Sequence, residues 1–373
     1  MKVEFYRHSL DENDIESVNA VLRSTFLTTG PKTAAFEEKF AGYTGRKRVV
    51  GLTSCTAALH LSLLALGVGE GDEVIVPAMT FYASATPAFY VGAKPVIVDV
   101  CPRTGLIDPG KVEKAVTART RAIIPVHLYG VMADMRALRD IADRRKLAIV
   151  EDAAHCIEGR RDGLRPGDLG DAVCYSFYAT KNLACGEGGA VGTDNPEIAD
   201  RVRLYRQHGM SKSAADRYTG VYKHWDMLEL GWKYNMFDIQ AALLLNQLDR
   251  LDGLLEKRRR VAEIYDKAFA DAPGITVPGI EGESARHLYT IWVDGARRDE
   301  TLSRLQDAGI GVAVNYRAIH TLSWLRDRLG LKPEDCPAAL DIGERTITLP
   351  LYPGLGREQQ DYVIDTVTDI AGR

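Results

Sequence analysis

From about residue 46 the hydrophobic positions fall in short β-branched runs separated by amphipathic stretches: "KRVVGL" then "TAALHLSLLALG", "EVIVPA" then "YASATPAFYVGA", "PVIVDV" then "PGKVEKAVTA". The alternation continues through "RAIIPVHLYG", "MRALRDIADRRK", "LAIVEDA", "AVCYSFY" and "GGAVGTD". Strands that are apolar at nearly every position have no solvent face. Separated by helices, they predict a mostly parallel α/β sheet covered on both sides. A long helical pattern, "DIQAALLLNQLDRLDGLLEKRRRVAEIYDKAFA", starts at Asp238 and stops at the turn residues "DAPG". Beyond it "HLYTIWVD", "RDETLSRLQDAGI", "ERTITLPL" and "REQQDYVIDTVTDI" alternate again on a smaller scale. The expected division is a large domain over 1–250, with the N-terminal segment included, and a smaller α+β domain over 251–373.

At 373 residues the chain exceeds what one hydrophobic core usually spans, in keeping with that division. Its 46% hydrophobic and 26% charged content is that of an ordinary globular protein. A net charge of −4 excludes the global basic field that draws nucleic acid or an anionic membrane. The densest basic run, "EKRRR" at 256–260, reads as a solvated helix face. The N-terminus acquires acids before any apolar segment forms and no window nears 18 apolar residues, so neither export nor a membrane span is expected. Six cysteines without a C-x-x-C pair give no zinc spacing, no metal and no disulfide framework; they fit reduced thiols in a cytoplasm.

Three features fall at strand ends, the edge where open α/β sheets bind ligands. In "GLTSCTAALHLSLL" Thr53, Ser54 and Thr56 open a helix, where free N–H groups favour a phosphate; plain N-capping by the hydroxyls is the alternative. "LAIVEDAAHC" ends a buried strand with Glu151 and Asp152, a costly placement unless a cation or hydrogen-bond donors meet the carboxylate, and a turn cap is the alternative. "AVCYSFYATK" delivers Lys181 to the same edge. A lysine is nucleophilic only when neutral, and a free one titrates at about 10.4, so a reactive one needs a buried or electropositive setting; a snorkelling lysine is the alternative. Taken together, a phosphate cradle, a carboxylate and an amine match the needs of pyridoxal phosphate (PLP): its phosphate, its ring nitrogen and its aldehyde. The glycines of "GEGG" let the backbone turn tightly beside it.

The blocks "TSCTAALHLSLLALGVGEGDEVIVPAMTFYASA", "GAKPVIVDV", "IIPVHLYG", "IVEDAAH", "SFYATKNLACGEGGAV", "LGWKYNMFDIQAALLLNQL" and "ITLPLYPGL" resemble, in order, those of the DegT-type nucleotide-sugar aminotransferases. The resemblance spans nearly the whole chain. It implies the aspartate-aminotransferase fold, with a large PLP-binding domain on a seven-stranded type of sheet, and a homodimer with shared active sites. It implies Lys181 as the Schiff-base residue and Asp152 as partner of the pyridine nitrogen. Thr56, the backbone around Ser54 and Cys55, and Ser176 hold the phosphate by the same resemblance. Phe81 stacks on the cofactor, and His155, in a slot often glutamine there, meets its ring oxygen. At the segment reaching the neighbour's phosphate many relatives read Gly-Tyr-Asn-Tyr-Arg; this chain reads "GWKYN", leaving Lys233 or Asn235 for that contact. Tyr316 and His320, in "NYRAIH", match loosely the segment that closes on the sugar.

The activity implied has two halves. L-glutamate gives its amino group and leaves as 2-oxoglutarate, with pyridoxamine phosphate (PMP) formed between the halves. A keto sugar on a nucleotide diphosphate then takes that group. The "GWKYN" variant resembles members acting at C4, which makes a 4-keto-6-deoxy hexose the first expectation and a 3-keto sugar the second. Related sugar dehydratases carry histidine at the lysine position, so Lys181 argues against dehydration. A regulatory protein that binds PLP without turnover stays open. A nicotinamide dehydrogenase fits poorly, since no strand is followed by G-x-G-x-x-G.

Overall fold

The computed structural model describes residues 1–211 and 224–371. Seven strands, β1 (Arg48–Leu52), β2 (Glu73–Pro77), β3 (Lys94–Val98), β4 (Thr120–Ile123), β5 (Ala148–Asp152), β6 (Ala172–Ser176) and β7 (Gly189–Thr193), form one sheet in the order β1-β7-β6-β5-β4-β2-β3. Each overlaps one of the apolar runs. All pairings are parallel except those of β7, which lies antiparallel to both β1 and β6.

Side chains alternate along each strand, so both faces bury apolar groups. Val50, Leu52, Ala172 and Cys174 pack under the helix Cys55–Ala65, while Val49, Val173 and Tyr175 pack against Phe36, Phe40 and the first half of the helix Asp238–Phe269. That long helix joins two cores: Leu244, Leu248 and Leu251 belong to the sheet's layer, and Val261, Tyr265 and Phe269 to a second core. The second core packs on the antiparallel pair β8 (Tyr289–Trp292) and β9 (Thr346–Leu349) with the helix Arg357–Ala371. No helix among the described residues is long and apolar enough to cross a membrane.

One detail differs from expectation. Arg258, from the basic run read as solvated, is buried and donates from Nη1 to the Leu351 carbonyl at 3.0 Å. Helical phase explains it: Leu251, Leu255, Arg258 and Val261 share one buried stripe, which turns Arg260 outward. Within the N-terminal segment Val3 is buried in the second core, its N–H on the Gly309 carbonyl at 2.9 Å, while Phe36 and Phe40 lie in the sheet's core.

Candidate active site

β1 runs through Thr53 to Ser54, whose hydroxyl accepts the Ala57 N–H at 3.1 Å. Ser54 is therefore the plain N-cap of the helix Cys55–Ala65. The next two N–H groups, of Cys55 and Thr56, have no acceptor among the described residues, and both residues line a cavity of about 490 Å³. A helix N-terminus with free N–H groups facing a cavity is an anion cradle. Gly189 makes it possible. A Cβ there would lie 2.3 Å from the Ser54 carbonyl carbon and 2.5 Å from the Cys55 nitrogen, so only glycine lets β7 begin against the helix start.

Strand alternation separates the two acids that end β5. Asp152 lines the cavity, buried; its Oδ2 accepts from Ser84 Oγ at 2.7 Å and its Oδ1 from the Ala154 N–H at 3.1 Å and Cys55 Sγ at 3.8 Å. Because a carboxylate only accepts, the Ser84 hydroxyl donates to it and takes the Thr80 hydroxyl, 2.8 Å away, as its own donor. Burial pushes the Cys55 thiol well up, with the Asp152 charge adding to it, so the sulfur stays protonated and donates. Glu151 points to the other side. There it accepts from His127 Nε2 at 2.8 Å and from the Gly167 N–H at 2.9 Å, away from the cavity.

Beyond β6 the backbone folds over: the Phe177 N–H donates to Gly188, the Ala179 N–H to Gly186 and the Lys181 N–H to Tyr178, all at 2.8–2.9 Å. This loop holds Lys181 at the cavity that Asp152 also lines. Burial pulls its pKa down to about 8, against the opposing pull of Asp152. His155, three residues beyond Asp152, is pinned by the Tyr129 N–H on its Nδ1 at 3.2 Å. Its Nε2 must then carry the proton, which it donates to the Tyr316 hydroxyl at 3.0 Å. Burial, and then the nearby Lys181, hold this ring far below its ordinary pKa, hence neutral.

The structure thus brings Ser54, Cys55, Thr56, Phe81, Asp152, His155, Ser176, Lys181 and Tyr316 to one cavity. Phe81 is 44% exposed at its mouth, its ring 5.7 Å from that of Tyr316. Ser176 Oγ accepts the Tyr178 N–H at 3.4 Å. Three residues are not brought there. Exposed Lys233 and buried Asn235 lie outside this chain's cavity, Asn235 donating to Thr29 Oγ1 at 2.7 Å. His320 is turned into the core, its Nε2 donating to the Pro333 carbonyl at 3.0 Å. Sequence reasoning missed Ser84, whose only signal is its place in "FYASA", and His287, 3.5 Å from Lys181 Nζ through its Nε2.

The donor set fits PLP: two unpaired N–H groups for a phosphate, a buried carboxylate for a pyridinium, and an amine for an aldehyde, all on one cavity. Comparison with known proteins agrees. The model of the DegT/DnrJ/EryC1/StrS aminotransferase family matches residues 8–368. SpsC of Bacillus subtilis (strain 168), named a spore coat polysaccharide biosynthesis protein, is 42% identical over 369 residues, covering 97% of this chain and 95% of the relative. A proposed sugar aminotransferase of Streptococcus pneumoniae, solved in its PMP form, superimposes with a TM-score of 0.93 at 34% identity, covering 99% of each chain. DesV of S. venezuelae, solved in complex with a ketimine intermediate, gives a TM-score of 0.92 at 37% identity, covering 100% of this chain and 99% of that one.

Proposed function

The chain belongs to the DegT/DnrJ/EryC1/StrS aminotransferase family and is a PLP-dependent sugar aminotransferase, and from that premise we propose that it carries an amino group from L-glutamate to a nucleotide-linked keto sugar. The first candidate is a 4-keto-6-deoxy hexose and the second a 3-keto sugar. The product's use in polysaccharide synthesis is supported by the name of the B. subtilis relative.

One observation carries this reading: cradle, carboxylate and amine converge on a single cavity. PLP, when bound, supplies the electron sink that makes a proton next to nitrogen removable. The residues do the rest. The Cys55 and Thr56 N–H groups and the Thr56 and Ser176 hydroxyls would hold the phosphate. Asp152, oriented by the Ser84 hydroxyl, would face the ring nitrogen and favour its protonated form. Lys181 would anchor the cofactor and, when its amine is free, would take a proton at Nζ and return it, a role suited to an amine near pKa 8. Phe81 covers the mouth, and His155 with Tyr316 lines the ring-oxygen side.

A homodimer with shared sites belongs to the same proposal. Its support is a strip of exposed apolar side chains, Met227 at 56%, Leu228 at 58% and Leu230 at 70%, leading into Lys233 and Asn235. Such a strip is costly in water unless covered, and in a two-fold dimer one patch serves both partners. The test is a panel of nucleotide-linked 4-keto and 3-keto sugars with L-glutamate, read by mass spectrometry. An amino sugar from the 4-keto substrates supports the reading; a deoxy product, or none from any member, overturns it.

A further inference from the structure

Behind Lys181 runs a line of buried groups that the chemistry above does not use. Lys181 Nζ is 3.5 Å from His287 Nε2, and His287 Nδ1 is 3.4 Å from Asn182 Oδ1. Asn182 Nδ2 reaches Glu158 Oε1 at 3.0 Å, Glu158 Oε2 at 3.2 Å and the Ala285 carbonyl at 2.8 Å. Acceptors surround that nitrogen, so the amide can sit only one way round, with Nδ2 donating and Oδ1 accepting. His287 Nδ1 must then carry the proton that faces Oδ1. Its Nε2 keeps a lone pair aimed at Lys181.

The line therefore has a direction, from Lys181 to His287 to Asn182 to Glu158, each member donating to the next. It stays open to Lys181 only while the His287 ring is neutral. Burial, and after it the nearby Lys181, His155 and Arg258, hold that ring well below its ordinary pKa. Burial raises Glu158 to about 7, but an oxygen able to accept from Asn182 remains in either protonation state.

We propose that His287 is a positioning residue for Lys181: its Nε2 accepts a hydrogen bond from the free amine and parks it beside the cavity whenever the amine is not bonded to cofactor. A lysine has four side-chain torsions, and an amine left unguided would spread over many rotamers between the two halves of the reaction. At 3.5 Å the contact stands at the long limit of a hydrogen bond. The proposal rests on Lys181 being the anchor lysine.

Competitive acetylation of the apoenzyme, with Lys181 followed by mass spectrometry across pH, reads the amine without any turnover. The charged groups facing Lys181 are Asp152 and, when ionised, Cys55; the neutral rings of His155 and His287 complete its surroundings. Wild type should titrate near 8. His287→Phe keeps the ring's bulk but removes the acceptor, so the ammonium form loses support and the midpoint should fall by about one unit. His287→Gln offers a carbonyl oxygen in its place and should recover most of the shift. No shift in the phenylalanine variant, or equal shifts in both, overturns the proposal. Nitrogen NMR of histidine-labelled wild-type apoenzyme needs no variant to fold: His287 should show a protonated Nδ1 and a bare Nε2, and the opposite tautomer overturns it. Borohydride reduction of the loaded enzyme with peptide mapping separately reports whether Lys181 is the anchor, so the two readings fail independently.

Discussion

Replacing Gly189 with alanine should cost cofactor affinity more than it costs fold stability. The new Cβ would stand 2.3 Å from the Ser54 carbonyl carbon and 2.5 Å from both Ser54 O and Cys55 N. Carbon contacts relax at roughly 3.5–4.0 Å, so something must give by about 1 Å. β7 is bonded to a neighbour on each side, through Leu52↔Gly189 and Ser176↔Gly189, which leaves the helix start as the softer element. A shift of that size carries the Cys55 and Thr56 N–H groups from about 2.9 Å to near 4 Å from a bound phosphate, beyond hydrogen-bond range. Each such bond to a charged oxygen contributes about 1.5–3 kcal/mol. With partial relaxation the loss should be about 2–4 kcal/mol, a dissociation constant weaker by roughly 30- to 1,000-fold. Stability of the apoenzyme should fall by only about 1–3 kcal/mol, the usual overpacking cost. Gly186→Ala is the control. Gly186 has φ +87° and no atom near its would-be Cβ, so alanine there pays only left-handed strain of about 1–2 kcal/mol and should leave affinity nearly unchanged. Titration of each apoenzyme with PLP, followed by absorbance, reads affinity, and thermal melts read stability. A folded Gly189→Ala enzyme with wild-type affinity would mean that the phosphate does not sit at this helix end.

Three further outcomes are expected. Asp152→Asn keeps the shape that Ser84 and the Ala154 N–H hold, so it should fold normally yet lose turnover by roughly 10²–10³-fold; near-normal turnover would remove Asp152 from its role. Capture of PLP by the apoenzyme should rise with pH and level off above about 8, because only the neutral Lys181 amine reacts; a midpoint near that of a free lysine, about 10.4, would contradict the buried setting. The linkage follows the same sign: the unfolded chain holds more protons between about 8 and the ordinary lysine value, so this group makes the apoenzyme more stable as pH rises through that window. Heterodimers of Lys181→Ala chains with chains altered at both Lys233 and Asn235 should recover about half the wild-type activity, from one restored site of two. Demonstrated heterodimers without recovery would place each loop at its own chain's site.

The parallel sheet was legible because its strands are apolar at consecutive positions and its helices are amphipathic. The reversed direction of β7 was harder to see. "GAVGT" looks like any buried strand, and the clue lies in the short connection 177–188, which holds no helix and so cannot return the chain for a parallel neighbour. Lys181 and Asp152 stood out because each is a charge at the end of an apolar strand. Their supports did not: Ser84 is one small hydroxyl among several, and His287 comes from the C-terminal part of the chain, with no spacing to link it to Lys181. In "NYRAIH" a local pattern covered two different fates, since the turn at Ile319–Thr321 sends His320 inward while Tyr316 faces the cavity. Whether Lys233 or Asn235 meets a neighbour's cofactor depends on a second chain, which no single-chain pattern encodes.

The two-step course of the reaction is tested most directly by running its halves apart. Purified enzyme loaded with PLP is mixed with L-glutamate and no sugar, and the visible absorbance and 2-oxoglutarate are followed. The visible band should be lost with one equivalent of 2-oxoglutarate per site. Addition of a nucleotide-linked keto sugar should then restore the band and yield one equivalent of amino sugar, and Lys181→Ala should do neither. Glutamate that leaves the band unchanged, or a sugar that restores it without gaining nitrogen, would contradict the account.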